Sequence, residues 1–302
     1  MANSLIALSE EIASTVEQVA QSIVAVHARP RFESSGVHWS PGIVVTADHT
    51  LRRDEGIRVT APDGSSLPAE IVGRDPGTDL AVLRVAGLGI PLTARENHTT
   101  ANPGRIVLAV GRTKDSAVAA LGVISNLSGP SQTWRGGRLD QVVRLDLSLH
   151  PAGAGGAVVD ASGKLIGVAT PALSRVSVFA IPLSTVGRVT DSLLAHGRIL
   201  RGYLGVGLQP IAIPEHLRSK LNLAGSTGLI AITVENEGPA GRAGMSIGDI
   251  LLELGGRRMQ RTKDVHEILS SESVGKKLGA RILRGGNPVE IEITIAERPR
   301  RG

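Results

Sequence analysis

Cysteine is absent from this chain of 302 residues, and aromatic side chains are scarce, with two Phe, two Trp and one Tyr. The lack of cysteine excludes disulfides, thiolate zinc sites and a cysteine nucleophile. So few aromatic faces argue against a stacking platform for single-stranded nucleic acid. No apolar run approaches the roughly 18 to 20 residues of a membrane-spanning helix. We therefore expect no membrane span, and neither a metal nor a cofactor.

Basic residues are missing from the first 26 positions, which instead carry Glu10, Glu11 and Glu17. A secretory signal needs a basic start followed by a continuous apolar stretch. The sequence therefore predicts a cytoplasmic chain, or one whose export signal is absent from this sequence.

The excess of positive charge is small and unevenly placed. The net charge is +5, from 33 basic and 28 acidic residues. Up to Ala195 the chain holds 17 residues of each sign, and the last 107 residues hold 16 basic and 11 acidic residues. Part of the excess is the tail Arg298, Arg300 and Arg301. We interpret it as a solvated tail on an ordinary surface, with an acidic partner or nucleic acid as the alternative.

Apolar spacing predicts an N-terminal helix followed by a β-rich module. One helix face is expected at Leu5, Leu8, Ile12, Val16, Val19 and Ile23, and a strand begins at Val24. From there to about Pro182, short β-rich runs alternate with turn residues, which is typical of an all-β barrel or sandwich. The runs lie at 42–46, 57–60, 80–85, 105–110, 141–145, 157–159, 165–170 and 176–181. Hairpin turns are expected at 61–64 and 160–163.

A second module follows a predicted helix over Leu183–His196. Ser184 is its predicted cap, and Gly197 its predicted stop. The module mixes strands with helical stretches, so a small α+β domain is expected. Its strands are predicted at 229–234, 278–283 and 289–295, and its helices at 215–221 and 262–270.

Three segments of the β-rich module carry candidate catalytic residues. Val44–His49 places a His just past a strand, Asp75–Leu83 places Asp79 at the mouth of a strand, and Pro151–Asp160 is a Gly-rich turn leading into a strand. Each segment alone has a plain structural interpretation. Their order within one β-rich domain is much more specific.

At these segments the sequence resembles the HtrA/DegP family of trypsin-like serine proteases. His49 falls at the catalytic histidine of that family, Asp79 at its aspartate, and residues 152–157 on its Gly-rich nucleophile turn. The resemblance continues through 163–168 and 179–182, and it covers almost the whole chain. It implies a mainly β fold, with two six-stranded trypsin-like β-barrels followed by a small α+β PDZ domain.

The chemistry of that family explains the three residue types. An imidazole takes the proton of a serine hydroxyl during attack, and a buried carboxylate holds the imidazole in the required tautomer. The Gly-rich turn lets two backbone N–H groups converge on the developing oxyanion.

The nucleophile itself is missing. Ala154 occupies the position of the family's serine, and a methyl group cannot attack a carbonyl. If the turn keeps the family's shape, the N–H groups of Ala152 and Ala154 form the oxyanion hole. Two explanations stay open. The intact His49 and Asp79 favour an engineered Ser→Ala change, whereas Ala152 and Ala157, in place of the usual Gly and Pro, favour a natural pseudoprotease.

The second module resembles a PDZ domain at two places. Arg201–Val206 matches its carboxylate-binding loop, and Gly238–Leu251 closely matches a downstream run. Backbone N–H groups in a Gly-containing turn form an anion nest, and a neighbouring strand edge can accept an extended peptide. The residues that the resemblance assigns to peptide binding are Tyr203, Leu204, Gly205 and Val206.

The resemblance also implies a domain organisation and a function. The expected domains are an N-terminal helix and entry strand at 1–26, a protease domain at 27–183, a helical linker at 184–200 and a PDZ domain at 201–302. The family consists of endopeptidases that act on unfolded or damaged proteins, and it places the chain in the bacterial cell envelope or periplasm. The alternative is a pseudoprotease that binds peptides or acts like a chaperone.

Partners and a specificity pocket follow from the same resemblance. The expected partners are unfolded polypeptides, peptide C-termini at the PDZ domain, and further copies of the chain in a homotrimer. Phe32 and Trp39 are the aromatic residues near the N-terminus that could form the trimer contact. Strand 167–170 and loop 171–178 would flank a pocket for small aliphatic side chains. The segment 26–41 is short, so no large cage is expected.

Overall fold

Two compact units make up the chain, Met1–Ile199 and Leu200–Gly302. The computed structural model describes residues 2–30, 32–95, 102–200, 202–220, 225–269 and 273–298. Arg201 of the predicted peptide loop and Arg300 and Arg301 of the basic tail lie outside these ranges. Within them, no helix is both long and apolar enough to cross a bilayer. The finer domain boundaries stay a prediction.

The first six strands form a closed antiparallel barrel. They are β1 (Ile23–His27), β2 (Ser34–Ser40), β3 (Ile43–Ala47), β4 (Ile57–Thr60), β5 (Ser66–Asp75) and β6 (Leu80–Arg84). Their order around the barrel is β1-β2-β3-β6-β5-β4. Because β3 and β6 are neighbours, the chain segments at their ends lie side by side.

The next eight strands build a second barrel and a small ribbon. They are β7 (Ile106–Arg112), β8 (Ala117–Ser128), β9 (Ser131–Gln132), β10 (Arg138–Leu139), β11 (Val142–Asp146), β12 (Ala157–Asp160), β13 (Leu165–Thr170) and β14 (Val178–Pro182). The barrel order is β11-β14-β13-β12-β7-β8, and β9 pairs with β10. The mainly β fold with two six-stranded barrels is thereby confirmed.

Small aliphatic side chains fill the interior of this unit, as the scarcity of aromatic residues requires. Buried Val, Leu, Ile and Ala residues form one cluster within each barrel. A third cluster joins side chains of both barrels to the two helices of the unit. Burial of aliphatic surface is the main favourable contribution to folding here.

The N-terminal helix α1 runs over Ala2–Ala20, and its predicted apolar face is only partly correct. Leu5 and Leu8 are exposed, whereas Val19 is buried and belongs to the shared core. Ile23, predicted on the helix face, instead begins β1. At the end of the helix, Arg112, from β7, donates a hydrogen bond to the carbonyl of Ala20, one of the last carbonyls that have no helical N–H partner.

Helix α2 spans Leu183–His196, as predicted, but its predicted cap is wrong. The N-cap residue is Pro182, no side chain caps this end, and Ser184 is exposed. The strand β14 runs directly into the helix, which leaves no free turn for a serine cap. The predicted stop at Gly197 is confirmed, since this residue has φ of +68° and its N–H bonds to the Leu193 carbonyl.

The second unit is a small α+β fold. Its elements are β15 (Gly202–Tyr203), β16 (Val206–Ala212), α3 (Glu215–Lys220), β17 (Thr227–Val234), α4 (Pro239–Arg242), β18 (Ile250–Leu254), β19 (Arg257–Arg258), α5 (Thr262–Ile268), β20 (Lys277–Arg284), β21 (Asn287–Thr294) and β22 (Ala296–Glu297). The main sheet has the order β16-β17-β18-β20-β21, with β19 on β18 and a separate β15–β22 pair. β16 is therefore an edge strand.

The two aromatic residues expected at a trimer contact differ in accessibility. Phe32 is 61% exposed, whereas Trp39 is 8% exposed and stacks under the Arg95 guanidinium at 4.1 Å. Trp39 is thus occupied within its own chain, and only Phe32 is available to a partner. The homotrimer stays a prediction.

Candidate functional site

Strand pairing brings His49 and Asp79 together. His49 lies in a short 3-10 turn directly after β3, and Asp79 directly precedes β6, with Ala47 paired opposite Leu80. The Nδ1 atom of His49 lies 2.9 Å and 3.1 Å from the two carboxylate oxygens of Asp79. The backbone N–H of His49 donates to the same carboxylate at 2.8 Å.

The buried Asp79 carboxylate is fully supplied with donors. The residue has no exposed surface, and the Thr170 hydroxyl, from β13, donates to it as well. Because an ionised carboxylate only accepts, the proton of His49 must lie on Nδ1. Its Nε2 has no partner among the described residues and is left with a free lone pair. This is the arrangement in which an imidazole can act as a general base.

Asp79 also has an unusual backbone conformation. Its φ is +60°, and it is the one non-glycine residue with positive φ in the described part of the chain. Aspartate tolerates this region better than most residues. The carbonyl of Asp79 accepts the Asp48 N–H at 3.1 Å, which fixes the turn that carries His49.

A second carboxylate, Asp48, lies beside this pair. Burial raises the pKa of Asp48, the hydrogen bond and charge of Arg74 lower it, and the nearby Asp79 and Asp75 raise it further, with a net increase. Arg74 bonds to Asp48 at 2.6 Å and also to the exposed Asp54. Arg74 thus offsets part of the negative charge around the histidine.

The Gly-rich turn forms the third part of the site. Pro151–Gly153 is a single 3-10 turn closed by a 2.7 Å bond from the Gly153 N–H to the His150 carbonyl. Gly155 has φ of +80°, and a Cβ there would lie 2.7 Å from the Ala47 nitrogen at the end of β3. The turn therefore sits against the strand that leads to His49. Ala154, one residue earlier, is 3% exposed.

The two predicted oxyanion donors differ in this conformation. The N–H of Ala152 donates to Nδ1 of His150 at 3.1 Å. The N–H of Ala154 has no partner among the described residues. One of the two donors is therefore open and the other is occupied by an adjacent side chain. Their joint role as an oxyanion hole stays a prediction.

The strand predicted to border the specificity pocket lies next to this turn. Ala169 of β13 exchanges hydrogen bonds with the turn, accepting from Gly155 and donating to Gly156, each at 2.9 Å. The loop 171–177 then leads to β14. The selectivity for small side chains stays a prediction.

The predicted peptide loop lies at the free edge of the second unit. Gly205 has φ of +71°, and its carbonyl accepts the Glu235 N–H at 2.8 Å. Tyr203 donates its hydroxyl to Glu235. Leu204 is buried in the core, and its carbonyl accepts the Ala240 N–H at 2.8 Å. Within the described part of the chain, the N–H groups of Leu204 and Gly205 donate to no backbone carbonyl.

An edge strand with a helix beside it continues from this loop. Val206 begins the edge strand β16, and α5 packs beside that strand. Val206 and Leu208 pack against the core to which Val265 of α5 belongs. An edge strand next to a helix can accept a further strand.

Three further residues touch the site without a local sequence motif that indicates it: Thr170, His150 and Ser35. Thr170 reaches Asp79 across 91 residues, and Ser35 reaches the Gly-rich turn across 117 residues. Threonine and serine on strands are too common to indicate such contacts. His150 was detectable, because it directly precedes the turn.

Comparison with known protein families divides the chain as the structure does. Residues 34–168 match the trypsin-like peptidase domain family, and residues 202–295 match the PDZ domain family. The first match includes His49, Asp79 and Ala154, and the second includes the peptide loop.

Relatives cover nearly the whole chain. A probable periplasmic DegP-like serine endoprotease of Brucella suis is 30% identical over 282 residues, which are 90% of this chain and 54% of that protein. The chloroplastic Protease Do-like 1 of Arabidopsis thaliana is 30% identical over 291 residues, 89% of this chain and 65% of that protein. The chain thus spans about half to two thirds of the length of these relatives.

Solved structures agree with these relatives. The HtrA-type protease AlgW with a decapeptide has a TM-score of 0.77 at 26% identity, covering 96% of this chain and 99% of that one. A serine endoprotease from Yersinia pestis has a TM-score of 0.76 at 27% identity, covering 95% and 98%. By fold, domain order and sequence, the chain belongs to the HtrA-type trypsin-like serine proteases with a C-terminal PDZ domain.

Proposed function

We propose that this chain binds polypeptides on an HtrA-type scaffold and does not cleave them. The observation that carries the proposal is Ala154, which lies in the turn beside an ordered His49–Asp79 pair. An imidazole with a free Nε2 has no hydroxyl to deprotonate when position 154 carries a methyl group. The PDZ unit would then bind extended peptide along its edge strand β16.

Covalent capture tests directly whether the chain lacks protease activity. The chain as it stands should show no turnover of unfolded casein and no labelling by a fluorophosphonate, because residue 154 has no oxygen. Labelling of the peptide that contains residue 154 would contradict the assignment of this turn.

A second candidate function is endoproteolysis by the Ala154→Ser variant, which the ordered His49–Asp79 pair favours. Activity should appear and should disappear again when His49→Ala is added. We expect it to be incomplete, because the Ala152 N–H is bonded to His150, and loss of one oxyanion donor costs about 10²–10³-fold in kcat. A folded but inert Ala154→Ser variant would favour a natural pseudoprotease.

Peptide binding at the PDZ unit is the positive part of the proposal. The open N–H groups of Leu204 and Gly205 would receive a C-terminal carboxylate, and the peptide would extend along β16. The probe is a fluorescent decapeptide with an apolar last residue, prepared as the free acid and as the C-terminal amide. Charge-assisted hydrogen bonds contribute about 1.5 to 3 kcal/mol, so amidation should weaken binding about tenfold or more. Equal affinities would leave only internal strand addition along β16.

A further inference from the structure

A buried serine outside the three catalytic segments holds both predicted oxyanion residues. Ser35 lies on β2 and has no exposed surface. Its hydroxyl donates to the carbonyl of Ala152 at 2.6 Å, and its backbone N–H donates to the carbonyl of Ala154 at 2.9 Å.

The direction of the Ser35 hydroxyl is fixed by a third partner. Its oxygen accepts the backbone N–H of Arg112 at 2.8 Å. A hydroxyl has a single proton to donate. The Arg112 carbonyl lies 3.5 Å from the same oxygen, against 2.6 Å for the Ala152 carbonyl. The proton of Ser35 is therefore directed at Ala152.

These bonds determine how the turn presents its N–H groups. Each peptide unit is planar, so a fixed carbonyl also fixes the N–H of the next residue. Ser35 fixes the planes that join residues 152–153 and 154–155. The plane between them, 153–154, carries the open N–H of Ala154. Ser35 therefore brackets this donor from both sides.

The backbone at two glycines approaches the serine closely. A Cβ on Gly155 would lie 2.3 Å from the Ser35 carbonyl oxygen, and one on Gly111 would lie 2.7 Å from its hydroxyl oxygen. The Ser35 carbonyl also accepts the Thr46 hydroxyl at 2.6 Å. The serine is thus held by the first barrel while it contacts the turn of the second.

We propose that Ser35 is the positioning residue of the oxyanion turn, acting through the carbonyls of Ala152 and Ala154. This inference rests on the proposed assignment of the turn. Removal of the hydroxyl leaves the carbonyl of Ala152 buried without its donor, which frees the turn to change shape. Ser35 itself touches no substrate.

The first experiment uses the chain as it stands and needs no catalysis. Backbone hydrogen exchange is measured across residues 150–156 in Ser35→Ala. We expect exchange there to be about tenfold faster, the factor for one net hydrogen bond of about 1.4 kcal/mol. The matched control is Ser34→Ala, since Ser34 is equally buried and its hydroxyl has no partner among the described residues.

The second experiment tests function in the Ala154→Ser background. Adding Ser35→Ala should lower kcat or the fluorophosphonate labelling rate about ten- to hundredfold, less than complete loss of an oxyanion donor, with KM little changed. Ser34→Ala should leave both unchanged. If Ser35→Ala does not fold, Ser35→Cys keeps the volume with a weaker donor. If the Ala154→Ser variant is inert, hydrogen exchange alone decides. Equal exchange at 150–156 in the Ser35 and Ser34 variants overturns the inference, whether or not peptides bind.

Discussion

Gly155 is the residue whose replacement the turn tolerates least. Its φ of +80° lies in the left-handed region, and it also touches the backbone of the first barrel. Gly64, in the hairpin between β4 and β5, has a similar φ of +82°, but a Cβ there would meet no atom within 4 Å. The two glycines therefore separate backbone strain from close approach.

We expect Gly155→Ala to lower the free energy of unfolding by about 3 kcal/mol, because strain adds to overpacking against backbone atoms. Gly64→Ala should cost about 1 kcal/mol, from strain alone. Chemical denaturation followed by circular dichroism gives both values. Equal losses would mean that the turn moves away from β3 without cost.

How much of the site could be predicted depends on the kind of contact. His49 and Asp79 were predictable because each lies in a distinctive local motif at a strand end. The bond from the Ala152 N–H to His150 and the bonds from Ser35 were not, because they depend on how one turn is oriented. Local sequence patterns contain no information about a hydrogen bond that spans 117 residues.

At the scale of elements, an ion pair joins the end of β20 to the turn before β18. Arg284 donates to both oxygens of Asp249 at 2.9 and 2.7 Å, and the Ser246 N–H donates at 2.7 Å. Burial raises the pKa of Asp249, but the hydrogen bonds from Arg284 and Ser246 outweigh it and hold this pKa below its usual value. Asp249 is 2% exposed, so its side of this ion pair lies at the edge of the hydrophobic core.

This ion pair predicts that the stability of the second unit depends on pH. Since the pKa of Asp249 is lower in the folded than in the unfolded state, its contribution is present above the unfolded value of about 3.9. That contribution is lost as the pH falls through the folded pKa. Asp249→Asn should lower the free energy of unfolding by about 1 to 3 kcal/mol at neutral pH. It should also reduce the loss of stability on going to acidic pH. Denaturation of the full chain between neutral and acidic pH, read from Tyr203, checks it.

The matched control is Glu290→Gln, at an exposed carboxylate on β21 for which the structure shows no ion pair in the described ranges. It should change neither the stability at neutral pH nor the loss of stability at acidic pH. If Asp249→Asn loses stability at acidic pH as the unmodified chain does, Asp249 is not the source of that loss.

Element prediction succeeded where the apolar pattern was regular. The strands β3, β6 and β13 are mostly aliphatic runs, and β4 alternates apolar with polar residues; the sequence located all four within one residue. The strands β2 and β5 were not predicted, because Ser, Gly, Pro and charged residues interrupt their pattern. They become strands through pairing with β1, β3, β4 and β6 in the closed barrel.

At the scale of the whole molecule, each unit contains a separate hydrophobic core. The chain also labels its units spectroscopically, because both Trp residues lie before residue 200 and the single Tyr lies after it. Tryptophan emission therefore reports the first unit, and tyrosine emission the second.

Residues 200–302 expressed alone should fold and unfold in a single cooperative transition, since a separate core is the requirement for independent folding. The fragment should also keep the preference for the free-acid peptide over its amide. Tyrosine emission during denaturation and anisotropy of the two peptides provide the measurements. A broad, non-cooperative transition would contradict the prediction of an independent domain.

The bond from Thr170 to Asp79 has a consequence for how this scaffold changes over time. It joins β13 of the second barrel to the entrance of β6 in the first, and Asp79 also anchors the turn that carries His49. We therefore expect loss of either side chain to weaken the contact between the barrels as well as the orientation of His49. The methyl group of Ala154 makes no hydrogen bond of this kind. Under the proposed function, one substitution at position 154 would supply the missing hydroxyl while the bonds that join the two barrels stay as they are.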